Sequence, residues 1–146
     1  MNLKKELQQS TILLDIQADS KKGVIQEMVA ALVEAGKITD YDKVLAAILE
    51  REDKMSTGMQ NGIAIPHARS ELVADMIVAL GFKKNGVDFN AHDGQPSTIF
   101  IMIITPLSNA GIHMKFMSAI SKAFMVDAVR NKVLEAKTPE DVINAF

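Results

Sequence analysis

The sequence predicts an α/β fold, a three-layer α/β/α sandwich around a small mixed sheet, in a single domain over residues 1–146. Three observations carry this. Thr98 to Thr105 (TIFIMIIT) is apolar without polar alternation and rich in β-branched residues, as in a strand buried on both faces. Val24, Ile25, Met28, Val29 and Leu32, and again Ile112, Phe116, Met117, Ile120 and Phe124, recur at helical spacing and form apolar stripes. Strand-like runs come early and in the middle, with helices alternating between them and then closing the chain. Helices on both faces of the sheet are the natural packing.

Along the chain, Ile12 to Ile16 predicts a short strand. Asp19 or Ser20 offers an N-cap oxygen to the helix that follows, and Gly36 stops it. A second helix begins near Asp40, with Val44, Leu45, Ile48 and Leu49 as its stripe and Glu50 to Asp53 as its polar end. Ser56 to Gly62 is a loop. Ile63-Ala64-Ile65 is a short strand cut off by Pro66, and Met76 to Phe82 a stronger one. Asn85-Gly86 signals a turn, with Val87 to Phe89 pairing back as a hairpin, and Asp93-Gly94 a further turn. Pro106 ends the apolar strand, and Ser108 or Asn109 caps the next helix. Two short helices follow, near Asp127 to Ala136 and after Thr138, where Pro139 takes the first position.

Composition excludes several classes. There is no cysteine, which removes disulfide scaffolds, thiolate metal sites and cysteine nucleophiles. Lys plus Arg number 16 against 18 Asp plus Glu, a formal charge of −2, with no basic block for nucleic acid or anionic membrane. The longest apolar run, Ile99 to Ile104, is far short of the roughly 20 residues of a membrane span. The start, MNLKKELQQS, lacks the apolar stretch of a secretory signal, so an intracellular, cytoplasmic protein is expected.

Three histidines, His67, His92 and His113, are then the candidate nucleophiles or proton carriers near neutral pH. His67 is the first residue past a proline stop at the end of a strand, where α/β proteins build sites. The alternative is a turn histidine with one ring nitrogen bonded to a backbone carbonyl. His113 precedes Phe116, Met117 and Ile120 by helical intervals and shares their face. In its helix's first turn the dipole disfavours an imidazolium, so a neutral ring could donate a hydrogen bond to an anion; the alternative is a core histidine. Arg51 could offer its guanidinium fork to an anion, or simply favour its helix C-terminus. Ser56 and Thr57 could bind an anion or serve as loop residues. His92 reads as a solvated turn residue, and the methionines, Met102, Met114, Met117 and Met125 among them, as core filling.

Ser56-Thr57-Gly58-x-x-Asn61-Gly62-Ile63-Ala64-Ile65-Pro66-His67 resembles the active-site signature of the type 2 (fructose/mannitol/nitrogen-regulatory) enzyme IIA domains of the phosphoenolpyruvate-dependent sugar phosphotransferase system. Leu49 to Glu52 is similar to that family's arginine segment, Gly86 to Phe89 and Asp93 to Pro96 to its central turn region, and Pro106 to His113 to its second-histidine segment. The resemblance covers nearly the whole chain in order. It implies a phosphoryl carrier in which His67 takes the group from the phosphocarrier protein HPr and passes it to a cysteine of an enzyme IIB domain. His113 would hydrogen-bond the phosphoryl oxygens or orient His67, Arg51 would balance their charge, and Ser56, Thr57 and Asn61 would belong to the phosphate-binding loop. No cofactor, metal or nucleic acid is implied. His92 stands where the family has a small or aliphatic residue, and Ile112 where a polar one is common; both bear on partner recognition rather than chemistry.

Within the family, a sugar-uptake component and a regulatory protein signalling through its phosphorylation state are both compatible with the sequence. Outside it, a non-catalytic binding module would keep the histidines for structure. A metal-dependent hydrolase on His67 and His113 lacks H-x-x-x-H spacing and a carboxylate partner.

Overall fold

Helices begin where a side-chain oxygen can take up a free amide of the first turn. The computed structural model describes residues 1–146. In it Asn2 caps α1 (Leu3–Glu6), Ser20 caps α2 (Lys21–Glu34) and Asp40 caps α3 (Tyr41–Lys54). Asn109 caps α4 (Ala110–Phe124), α5 (Asp127–Leu134) has no side-chain cap, and Thr138 opens α6 (Pro139–Ile143) through a reciprocal capping box with Asp141. At the end of α2, Gly36 takes φ +73°, and the amides of Gly36 and Lys37 return to the carbonyls of Val33 and Leu32. That is the left-handed stop only glycine adopts freely. The short α1 and the 3₁₀ turn at Gln9–Thr11 were not expected from the sequence; neither carries an apolar stripe.

The strands are β1 (Ile12–Leu13), β2 (Ile63–Ala64), β3 (His67–Ser70), β4 (Ile77–Val87) and β5 (Ser97–Pro106). They form one mixed sheet. β1 runs parallel to β4, β4 antiparallel to β5, and β5 parallel to both β2 and β3 along its other edge. β5 is buried on both faces, as its composition predicted. Phe100, Met102 and Ile104 pack with Val24, Ile25, Met28 and Ile48 of α2 and α3. Ile99, Ile101 and Ile103 pack with Phe116, Ile120, Val133 and Val142 of α4, α5 and α6. The three-layer sandwich with a mixed sheet is therefore the observed architecture. No helix is long and apolar enough to cross a membrane.

Three local expectations are corrected. The first strand is two residues long rather than five, although Ile16 still donates to the Phe82 carbonyl at 3.1 Å. Asn85-Gly86 does not turn the chain. β4 runs through it to pair Val87 with Ser97, and the extra residues form a bulge between Phe82 and Val87 in which Gly86 takes φ +76°. The hairpin reversal lies beyond, at Asp93-Gly94, where Asp93 accepts the Gln95 amide at 3.0 Å. Pro66 interrupts its strand rather than ending it: β2 and β3 keep one register along β5, and the Pro66 carbonyl accepts the Ile103 amide at 3.1 Å. Proline is tolerated there because that edge faces a loop rather than another full strand.

Truncating the middle of β5 tests this architecture. Ile101→Ala, fully buried on the α4 side, is expected to lower unfolding free energy by about 2–5 kcal/mol in denaturant titration.

Candidate phosphoryl-transfer site

Strand periodicity aims the first histidine. Ala64 and Ala68 face α2 and α3, so Ile63, Ile65 and His67 face α4. His113, in the first turn of α4, meets His67 there, with ring centroids 4.9 Å apart and planes at 50°. The proline break preserves this parity because it leaves the register unchanged.

The His67 ring is oriented by a hydrogen bond of 2.8 Å between Nδ1 and the Ile65 carbonyl oxygen. A carbonyl only accepts, so Nδ1 carries the proton and donates it. Nε2 is left with its lone pair and makes no hydrogen bond within the chain. The backbone bond expected as the alternative for His67 is present, and it fixes the tautomer that leaves a lone pair on Nε2. His113 is held differently. Its Nδ1 is 3.3 Å from the hydroxyl of Thr105, a fully buried residue on the same sheet face. The Thr105 proton has no other acceptor, so the hydroxyl donates to Nδ1 and the His113 proton resides on Nε2 as a donor.

Both imidazoles are held below the ordinary value of 6.5. For His67, burial is the main cause and Arg51 adds to it, while the hydrogen bond to Ile65 and the Glu52 carboxylate oppose it. For His113, burial again leads, followed by His67, Arg69 and Arg51. Both rings are therefore neutral at neutral pH, the state a nucleophile and a neutral donor require.

The His67 side of the pair opens into a cleft of about 460 Å³ that Arg51, Ser56, Thr57, His92, Asp93, Met55, Met59 and Met117 also line. Arg51, half-buried near the end of α3, donates from Nη1 to the Met55 carbonyl at 3.0 Å. The structure thus brings together His67, His113 and Arg51. The expected phosphate-binding loop is rearranged. Thr57 gives both its amide (2.7 Å) and its hydroxyl proton (2.6 Å) to the buried Glu52 carboxylate, and Ser56 gives its hydroxyl proton to the Phe89 carbonyl at 2.7 Å. Neither hydroxyl has a proton left for an anion. Asn61 lies outside the cleft at φ +64°, followed by Gly62 at φ +75°, and so serves a tight turn.

His92 is exposed, as expected, yet it is part of the cleft rim: its Nε2 is 3.0 Å from the Ser56 carbonyl. Methionine as core filling holds for Met102 but not for Met114 and Met125, which are exposed, nor for Met117, which is half-buried at the cleft. Helical spacing could not separate them because all lie beside apolar neighbours. Glu52, buried behind the cleft with Thr57 and Lys21 as partners, is not among the residues the sequence singles out. Its signal was a carboxylate one position past Arg51 on a helix whose stripe continues through it.

The chain belongs to the family described as "Phosphoenolpyruvate-dependent sugar phosphotransferase system, EIIA 2", whose model matches residues 5–146. It is 38% identical to the "PTS system fructose-specific EIIABC component" of Bacillus subtilis over 99% of this chain, and spans 23% of that longer protein. It is 37% identical to the "PTS system fructose-specific EIIA component" of Haloferax volcanii, covering 84% of this chain and 80% of that one. Among solved structures, the nitrogen regulatory protein IIA-Ntr of Neisseria meningitidis superposes with a TM-score of 0.90 at 27% identity, over 98% of this chain and 97% of that one.

The neutral histidine pair makes a pH prediction. The unfolded chain takes up protons near 6.5 while the folded rings resist them, so stability linked to these groups is intact above 6.5, declines below it, and is fully lost only as pH falls through the lower values of the folded rings. NMR titration of the ring resonances is expected to give midpoints below 6.5 for both His67 and His113; a midpoint above it for either ring contradicts the neutral pair.

Proposed function

We propose that residues 1–146 act as one unit, a cytoplasmic phosphoryl carrier. In this reading Nε2 of His67 accepts the phosphoryl group of phosphorylated HPr and gives it to a cysteine of an enzyme IIB domain, in uptake of a fructose- or mannitol-type sugar. The single observation that carries it is the Nδ1 hydrogen bond to Ile65, which leaves Nε2 free beside His113 in the cleft that Arg51 lines.

The chemistry follows from those atoms. The Nε2 lone pair attacks phosphorus, the bond to the donor nitrogen breaks, and the donor leaves with its electron pair. The His67 ring keeps its Nδ1 proton, and the Ile65 carbonyl stabilises the positive charge that forms on it. The phosphoryl oxygens take a hydrogen bond from Nε2–H of His113 and the charge of the Arg51 guanidinium. Because the transition state is loose, positioning and charge balance supply the rate enhancement, and burial makes both more effective. The second transfer reverses these steps toward a thiolate.

A regulatory role, in which phosphorylation state governs partner binding, is the alternative favoured by the fit to the nitrogen regulatory protein. The fructose-specific relatives, at 37% and 38% identity, favour the uptake role.

Intact-mass analysis with phosphoenolpyruvate, enzyme I and HPr tests the proposal. Wild type is expected to gain one phosphoryl group and His67→Ala none. His113→Ala and Arg51→Ala are expected to slow uptake by about 10²–10³-fold while leaving His67 modifiable. Full-rate phosphorylation of His67→Ala overturns the assignment. Subsequent discharge onto a fructose-type IIB domain supports the uptake role, and a stable phosphoprotein in its presence supports the regulatory one. Phosphorus–nitrogen NMR coupling is expected to locate the group on Nε2.

A further inference from the structure

Glu52 is buried, yet it does not line the cleft. Three donors converge on its carboxylate. Oε1 accepts the Thr57 amide at 2.7 Å and Lys21 Nζ at 2.9 Å, and Oε2 accepts the Thr57 hydroxyl at 2.6 Å. Lys21 comes from the first turn of α2, and its ammonium also lies 5.0 Å from the centroid of the buried Phe89 ring. Burying such a pair is weak evidence for stability, because apolar residues of similar volume often serve as well or better. Its geometry shows what else it does.

Two bonds to one carboxylate fix both the backbone and the side chain of Thr57. The Thr57 carbonyl then accepts the Ile65 amide at 3.1 Å. In extended backbone a residue's amide and carbonyl point to the same side, so the bond that anchors the Ile65 amide also aims its carbonyl. That carbonyl is the acceptor of His67 Nδ1–H at 2.8 Å. Lys21, Glu52, Thr57, Ile65 and His67 thus form one connected series of hydrogen bonds. It runs from an ion pair between two helices to the nucleophile.

We propose that the Lys21–Glu52 pair is a positioning device for His67, holding its ring orientation and its Nδ1–H tautomer through Thr57 and Ile65. Glu52 is a positioning residue that touches neither the phosphoryl group nor the reacting nitrogen. Without it the Thr57 segment is free to shift, the Ile65 carbonyl loses its aim, and the Nε2–H tautomer, whose lone pair is on Nδ1 rather than on the nitrogen facing the cleft, becomes populated. The consequence for phosphoryl transfer rests on the carrier reading above; the consequence for the tautomer does not.

Nitrogen-15 NMR of the His67 ring in the unphosphorylated protein, together with initial rates of phosphorylation by phosphorylated HPr, tests this on wild type, Glu52→Gln and Thr57→Val. Wild type is expected to show the Nδ1–H tautomer alone. Glu52→Gln sets an amide donor among donors, and its ring shifts are expected to move toward the tautomer average, with transfer slowed by about tenfold or more. Thr57→Val removes only the hydroxyl bond and is expected to move both readouts the same way by less. If Glu52→Gln does not fold, Thr57→Val carries the test. Folded variants with wild-type ring shifts overturn the proposal, whatever their rates. A wild type that takes no phosphoryl group, with the tautomer still shifted in Glu52→Gln, counts against the carrier reading and leaves the positioning role standing.

Discussion

The hydrogen bond from His67 Nδ1 to the Ile65 carbonyl is the interaction on which the site turns, and the rest of the molecule is arranged to hold it. It requires donor and acceptor two residues apart to meet across a proline. Pro66 fixes its own backbone angle and contributes no amide, so the strand can break locally and resume in the same register. β5 sets that register. Buried on both faces, it tolerates no slip, because moving it by one residue would exchange its two apolar sets between the two cores. Precision at a ring nitrogen is thus inherited from packing in the centre of the sheet.

Burial has opposite consequences for the two kinds of group at the site. It removes protons from the imidazoles of His67 and His113, so both rings are neutral near pH 7. The same loss of water strengthens the attraction of Arg51 for any anion in the cleft. The one buried carboxylate nearby, Glu52, is compensated by Lys21 and Thr57. Its residual field raises the affinity of His67 for protons, opposite to Arg51. Desolvation outweighs that field, so His67 remains neutral, and Glu52 anchors Thr57 without charging the ring.

Methionines give the cleft rim its character. Met55, which is largely solvent-facing, and the half-buried Met59 and Met117 all line the cleft among polar neighbours. Flexible, polarizable side chains there suit the proposed relay, in which one surface accepts two partners in turn. His92, bonded to the Ser56 carbonyl, lines the same cleft.

By itself the sequence determined the layers, the doubly buried strand and, to within one residue, the caps of α2 and α4, all written in apolar spacing and cap chemistry. Local pattern left His67, His113 and Arg51 each with a structural alternative, and only the resemblance to a family motif grouped the three. Tertiary structure decided everything that depends on which backbone groups come to lie opposite one another. Gly86 became a bulge rather than a turn because β5 offered Val87 a partner beyond it. Thr57 and Ser56 donate their hydroxyl hydrogen bonds to the Glu52 carboxylate and the Phe89 carbonyl, so they hold the loop instead of an anion. Met114 and Met117, on one helix, parted between solvent and cleft according to the face each presented to the sheet. The tautomer of His67 was decided by a carbonyl whose direction depends on Thr57, and Thr57's on a lysine from another helix. Such directions are set by long-range pairing, which spacing along a chain does not encode.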